Sequence, residues 1–327
     1  MTALRVAFAG LAHSHPFADA ENLERQASWN AGIEFVGVYD IDEDLSARFS
    51  RRFPCPIVDS LDGIVGREPE LVIATPRSWE VTHFAEALLE QTSASIFFNK
   101  VVAATDTQLT AWREAVAYAP ERVGTASVLR FAPALAELVE RIDSADVWSV
   151  RVLVQHDINP FLSPDRAWQD DPDSGGGTLV TVGIHAWEII GRVFPDATLD
   201  DHVTGWIQRS PDARTRSEET AQASVTLRLP DGGRVPCSVF VSGSRGPETY
   251  SVDVFTASGS QSIHLSSHHP ARSLGYAELI EHLVRKARQG RVAAPWASAE
   301  PVVTNTIRAA RELRSNPDTE KSQRNVL

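Results

Sequence analysis

Short apolar runs alternate with amphipathic stretches through the first third of the chain, and each run has the length of a strand. Leu4-Arg5-Val6-Ala7-Phe8-Ala9-Gly10, Glu34 to Tyr39, Leu71-Val72-Ile73-Ala74 and Ile96-Phe97-Phe98-Asn99-Lys100 read as buried strands of a parallel sheet. Between them the apolar positions take helical spacing. Ser14-His15-Pro16 supplies a cap and an early proline for a helix reaching about Gln26. Another helix is predicted from Ser78 to Glu90, burying Phe84, Ala87 and Leu88, and Thr105 caps one that aligns Leu109, Trp112 and Val116. Ala47 to Phe53, Pro54-Cys55-Pro56 and Ile57-Val58 predict a helix end, a rigid turn and a short further strand. Such alternation predicts a doubly wound parallel sheet with right-handed crossovers, ending near Arg122-Val123-Gly124.

Beyond that point the period changes. Thr125 to Leu129 reads as a connecting strand, and Pro133 opens a helix with Leu135, Leu138, Val139 and Ile142 on one face. Val147 to Gln155, Ala221 to Leu229, Arg234 to Gly243, Thr249 to Thr256 and Ser260 to Leu265 then alternate at the strand period, with a clear turn at Pro230-Asp231-Gly232-Gly233. Helices from Tyr276 to Arg288, ended by Gly290, and from Pro301 to Leu313, with Val303, Ile307 and Ala310 inward, close the chain before a polar tail from Ser315. The expected architecture is α/β: an N-terminal Rossmann-type domain over 1–123 and a C-terminal α+β domain over 124–327 with an open, mostly antiparallel sheet.

Composition narrows the partners. The 327 residues carry a formal net charge of -12, which disfavours nucleic acid and anionic membrane surfaces. Two cysteines, Cys55 and Cys237, make neither a disulfide framework nor a four-thiolate metal site. The N-terminus runs straight into a strand without signal-peptide character, and no apolar run reaches the roughly 18 residues of a membrane span. A soluble cytoplasmic protein is expected.

Candidate chemistry gathers at strand ends. A lysine leaving the carboxyl end of a parallel strand, as Lys100 does, faces either solvent or a ligand bound there. Gly10, Ala12 and His15 stand at the positions of a G-x-G-x-x-G turn, with His13 inside it, so a nucleotide pyrophosphate could meet this turn and the helix behind it. Asp40, ending the second strand, reads as an acceptor for adenosine ribose hydroxyls, favouring NAD over NADP, or as a turn and cap residue. In the second half, Ser174-Gly175-Gly176-Gly177 leads into an apolar helix-like run that would hold Thr181 and His185 four residues apart on one face. A histidine so placed exchanges protons near neutral pH, or is a satisfied core residue. His156, Asp157, Trp168 and Asp173 come from a polar, aromatic stretch suited to a hydroxyl-rich substrate or to an ordinary solvated loop. His13, His15, His156 and His185 make only a loose metal pattern, and no metal is expected; His264, His268 and His269 read as an exposed hairpin.

Taken in order, the Gly10 turn, Ala74-Thr75-Pro76, the lysine strand, Arg130-Phe131-Ala132-Pro133, the glycine run with His185 and the Pro301 helix resemble the glucose–fructose oxidoreductase and inositol dehydrogenase family, Gfo/Idh/MocA, over nearly the whole chain. The resemblance implies an NAD-dependent oxidoreductase moving hydride between a nicotinamide and a sugar, polyol or derivative. It implies that Lys100 and His185 act at the reacting oxygen and that Thr75, Pro76 and Asn99 line the cofactor. It further implies a homodimer or homotetramer formed through the C-terminal sheet. Asn99 and Val101 replace the family's glutamate and proline beside the lysine, and Thr181 replaces its aspartate. Those departures keep open an alternative: a nucleotide- or sugar-binding regulatory protein of the same fold without turnover.

Overall fold

In the computed structural model, residues 2–27, 32–200, 202–209, 215–243, 246–266 and 274–316 are described. His268, His269 and most of the polar tail lie outside them. The chain divides into two units, one made of Met1–Ala103, Thr107–Ala126 and Tyr276–Ala299, the other of Ala104–Asp106, Ser127–Gly275 and Glu300–Leu327. This differs from a single boundary at 123/124 chiefly in Tyr276–Ala299, which belongs with the first unit.

The first unit is built on β1 (Leu4–Leu11), α1 (His15–Ala27), β2 (Ile33–Tyr39), α2 (Glu43–Arg52), α3 (Leu61–Val65), β3 (Leu71–Thr75), α4 (Val81–Gln91), β4 (Ser95–Asn99), α5 (Asp106–Val116) and β5 (Val123–Ala126). All five strands are parallel in the order β2-β1-β3-β4-β5, so the connection reverses direction between β1 and β3. In an open α/β sheet that reversal leaves a crevice outside the carboxyl ends of the strands. β3 and β4 are buried at every residue, as their unbroken apolar runs require. Phe8 of β1 packs on Phe35 of β2 and Phe49 of α2, with ring centroids 5.4 and 4.7 Å away, which fixes α2 against the sheet.

Three local expectations change. Ile57 makes a single bridge to Val38 and starts no sheet strand, because the prolines on either side of Cys55 remove ladder donors. α4 begins at Val81 rather than Ser78, since the Arg77 N–H donates to Glu80 Oε2 and closes a turn first; its buried face uses Ala85 in place of Ala87. Val123 to Ala126 is the fifth strand of the first sheet, followed by a 3-10 turn over Val128–Phe131, rather than a connector. Cys55 and Cys237 are buried free thiols whose pKa burial pushes up to about 12, so neither serves as a nucleophile.

The second unit contains α6 (Pro133–Arg141), β6 (Val147–Gln155), α7 (Gly177–Thr181), α8 (Ile184–Val193), β7 (Thr198–Leu199), β8 (Thr204–Gln208), β9 (Thr220–Arg228), β10 (Arg234–Ser242), β11 (Thr249–Thr256) and β12 (Gly259–Ser266). Its sheet runs β12-β11-β6-β10-β9-β7, with β8 also on β9. Among the described residues only the β6–β10 pair is parallel, which makes the sheet mixed but mostly antiparallel. β7 and β8 are too short and too polar to show as strands in the sequence. Alternate residues, such as Val150, Val152 and Val154, are buried, while the other face carries Arg151 paired to Asp253 at 2.8 Å and a half-exposed Phe255. His264 is exposed on β12, in the hairpin that β12 forms with β11.

Two helices follow. α9 (Tyr276–Ala287) buries Leu279, Ile280 and Leu283 and packs on α1 within the first unit. α10 (Trp296–Ser315) starts five residues before the expected Pro301, which lies inside it. Among the described residues no helix is long and apolar enough to cross a membrane.

Candidate functional site

At the carboxyl end of the parallel sheet, β1 turns into α1 through Gly10. Its φ is +79°, and a Cβ there would lie 2.5 Å from the Pro76 nitrogen, so only glycine lets the turn pass the end of β3. The Ala12 N–H donates to the Thr75 carbonyl at 2.9 Å, and Leu11 N–H to Asp40 Oδ2 at 2.5 Å. Ser14, exposed at the start of α1, offers an N–H and a hydroxyl, and α1 has no acidic residue in its first turn. A helix N-terminus without its own anion at the end of β1 fits a phosphate group. His13 is buried and His15 half-buried, their rings edge to face at 4.5 Å, and His15 meets Tyr276 at 6.0 Å. His15 therefore replaces the third glycine by turning onto α9 instead of into the sheet. Gly10→Ala should destabilise the protein by about 2 kcal/mol, read as a lowered urea midpoint, because both the positive φ and the contact with Pro76 are violated. An unchanged midpoint would contradict the tight passage.

Asp40 is buried and ties this turn together. Oδ2 accepts from Leu11 N–H and Oδ1 from Asp42 N–H at 2.8 Å, while Asp42 caps α2. Burial raises its pKa, and the two backbone donors hold it down in part. Of its two sequence readings, the turn role is filled; a carboxylate with about four acceptor sites keeps lone pairs for a ribose as well.

Where β3 and β4 end, three polar side chains meet under the sheet edge. Asn99 Nδ2 donates to Thr75 Oγ1 at 2.8 Å and to Asp19 Oδ2 at 3.2 Å. Asp19, in α1, is fully buried, and its other oxygen, Oδ1, has no hydrogen-bond partner. Burial, opposed only by the Asn99 bond, pushes its pKa up from 3.8 to about 7. Lys100 follows directly, half-buried. Because the folded protein holds this proton more tightly than the unfolded chain, the group's stabilising contribution is complete below 3.8 and is lost as pH rises through about 7. Asp19→Asn should remove that loss, gaining on the order of 3 kcal/mol over wild type at about pH 8.5 relative to about pH 4. Parallel pH–stability curves for the two proteins would refute it.

In the second unit the glycine run turns sharply, with Gly176 and Gly177 at positive φ, and Gly175 so close to the Trp168 carbonyl that a Cβ would overlap it. The expected single helix breaks here. Gly183 N–H reaches back to the Thr178 carbonyl and His185 N–H to Val182, so Thr181 ends α7 while His185 lies in α8. Thr181 and His185 are therefore not on one helical face. Thr181 Oγ1 donates to the Gly177 carbonyl at 2.8 Å.

His185 is buried, and its Nδ1 lies 2.6 Å from Ser127 Oγ. Ser127 Oγ also accepts from Leu129 N–H, and the Ser127 N–H donates to Glu188 Oε2 at 2.9 Å. Glu188 Oε1 takes the Arg130 guanidinium at 2.5 Å. The His156 ring is parallel to His185 at 6.4 Å; its Nδ1 faces the Asp157 carbonyl and its Nε2 faces Glu248 Oε1, both at 2.8 Å. Tyr250 stands 5.2 Å from His185.

The structure thus brings His156 to His185 and sets the other loop candidates to local tasks. Asp157 Oδ1 closes a turn onto Asn159, Asp173 is exposed, and Trp168 abuts the glycine run through its backbone. Ser127, Glu188, Arg130 and Glu248 were not foreseen as site residues. A carboxylate inside the apolar run from Ile184 to Ile190 was the available signal for Glu188, since a buried charge demands partners. Among the described residues no three metal-ligating side chains converge.

Neither a protein-family model nor a curated protein matches the chain. Solved structures do. GenD2 from gentamicin A biosynthesis, in complex with NAD, superimposes with a TM-score of 0.77 at 19% identity over 96% of this chain and 95% of its own. A myo-inositol dehydrogenase from Corynebacterium glutamicum gives 0.74 at 14% identity over 97% of both chains. Myo-inositol 2-dehydrogenase from Lactobacillus plantarum gives 0.74 at 13% identity over 98% of both. The chain therefore has the fold of these enzymes from end to end.

Proposed function

We propose that the chain is an NAD-dependent oxidoreductase for a sugar, polyol or related CH–OH compound. The observation that carries the reading is the Gly10 turn at the switch point of the sheet, with a helix behind it whose first turn carries no acidic residue and, two strands along, the end of β4 that leads into Lys100. The full-length likeness to an NAD-bound enzyme and to inositol dehydrogenases supports it. His13, Ser14 and His15 would meet the pyrophosphate, Asp40 the adenosine ribose, and Thr75, Pro76 and Asn99 the nicotinamide half. Arg77, a cation near Asp40, is paired with Glu80 at 3.2 Å, and the Asp40 carboxylate would repel a 2′-phosphate, which favours NAD over NADP.

A nicotinamide, when bound, supplies the hydride acceptor or donor. The protein's part is proton transfer and charge. With Nδ1 held by Ser127 Oγ, His185 would exchange the substrate proton at Nε2 without turning its ring. Lys100 orients the same substrate oxygen and stabilises the charge that develops on it. His156, its two ring nitrogens engaged by Glu248 and the Asp157 carbonyl, would flank the substrate with its ring beside His185. The C-terminal sheet's half-exposed face would join subunits.

Titration of the purified protein with NAD and NADP tests the cofactor half: saturable binding, tighter for NAD, is expected, and failure of both to bind contradicts it. A second reading, a ligand-binding protein without turnover, is favoured by Thr181, whose hydroxyl is spent on the Gly177 carbonyl and brings no charge. Growth of the reduced-nicotinamide absorbance with any sugar or polyol excludes that reading.

A further inference from the structure

We infer that Asp19 is a positioning residue which, by holding the amide of Asn99, turns the Asn99 carbonyl toward a bound nicotinamide nucleotide as the acceptor for a ribose hydroxyl. The inference rests on the nucleotide reading above and adds to it a residue remote from the ligand. An asparagine has two amide hydrogens and one carbonyl to offer, and which end faces a ligand depends on what takes the other. Here both amide hydrogens are taken by protein acceptors, Asp19 Oδ2 and Thr75 Oγ1. A hydroxyl such as Thr75 could accept or donate, so it does not fix the choice. An ionised carboxylate only accepts, and it therefore forces the amide inward and the carbonyl outward at the end of β4, one residue before Lys100.

Protonated Asp19 loses that preference, because a carboxylic acid can donate to the carbonyl and hold the amide the other way round. Its unpartnered, buried Oδ1 is what keeps the proton attached in the nucleotide-free protein. A ligand hydroxyl donating to the Asn99 carbonyl selects the ionised form, so binding expels the proton. The ionisable groups on elements packed against α1 are Arg5 of β1, Glu34 and Tyr39 of β2, and Tyr276, Glu278, Glu281, His282, Arg285 and Lys286 of α9; α1 itself carries His15, Glu21, Glu24 and Arg25 beside Asp19. None adds to burial and the Asn99 bond as a cause acting on Asp19.

The test is calorimetric titration with NAD of the full-length protein at about pH 5.5 and about pH 8, in buffers of high and low ionisation enthalpy. Affinity should rise about tenfold with pH and level off above neutrality, with buffer-dependent heat marking proton release at the lower pH. Asp19→Asn should bind with a flat pH profile at the weaker level, and Asn99→Ala likewise. The wild-type measurement stands even if a variant fails to fold. Equal wild-type affinity at both pH values with no buffer dependence, or an unchanged slope in Asp19→Asn, overturns the inference alone. Absence of NAD and NADP binding at either pH overturns the nucleotide reading and this inference with it.

Discussion

Replacing Lys100 by alanine should lower kcat/KM about a thousandfold while leaving NAD affinity within a few-fold of wild type. The loss belongs to charge developing on the substrate oxygen, where a preorganised ammonium acts most strongly in the transition state. Lys100 emerges from β4, a fully buried strand whose last residue is pinned to Thr75 and Asp19, so its backbone cannot drift. The chain at Lys100 is thus preorganised, and arginine, with its broad planar fork, should not rescue the loss. Steady-state kinetics beside calorimetric NAD titration separates the two effects. Full activity in Lys100→Ala would remove the lysine from the mechanism.

Glu188→Ala should destabilise the protein by about 3–5 kcal/mol, among the largest losses expected from one side chain. Glu188 is buried, accepts the Ser127 N–H and pairs with Arg130, whose side chain is 12% exposed. Truncation leaves the guanidinium and the amide without their acceptor, and the polypeptide around Ser127 loses its tie to α8. Because Ser127 holds His185, proton transfer should suffer even in folded protein. Glu188→Gln keeps the acceptor for the amide and loses the charge opposite Arg130, so its cost should be smaller. Urea unfolding of the pair checks both values, and an Ala variant as stable as wild type would show that the network bears no weight.

The sheet of the first unit was legible because doubly covered parallel strands are continuous apolar runs, as at Leu71 to Thr75 and Ser95 to Asn99. Hairpin partners in the second unit were legible from alternation and the Pro230-Asp231-Gly232-Gly233 turn, where Gly232 takes a positive φ. The parallel pairing of β6 with β10 was not, since register across a long connection leaves no local mark. Thr181 and His185 show the same limit at the site. Their spacing suits one helix, but the i−5 bond from Gly183 interrupts it, and a glycine inside an apolar run does not announce which way it will bend. Asp40 reads from the sequence as the end of the second strand, but its bonds to Leu11 and Asp42 depend on the β1 turn coming alongside. Asp19 passed as one polar residue of α1 because its burial is set by Asn99, 80 residues away.

The most direct measurement is a crystal structure of the protein with NAD bound. The account predicts the pyrophosphate at the start of α1, and the reactive carbon of the nicotinamide ring facing a cleft into which both the Lys100 ammonium and the His185 imidazole open. A nucleotide bound elsewhere, or Lys100 and His185 opening onto separate surfaces, would contradict it.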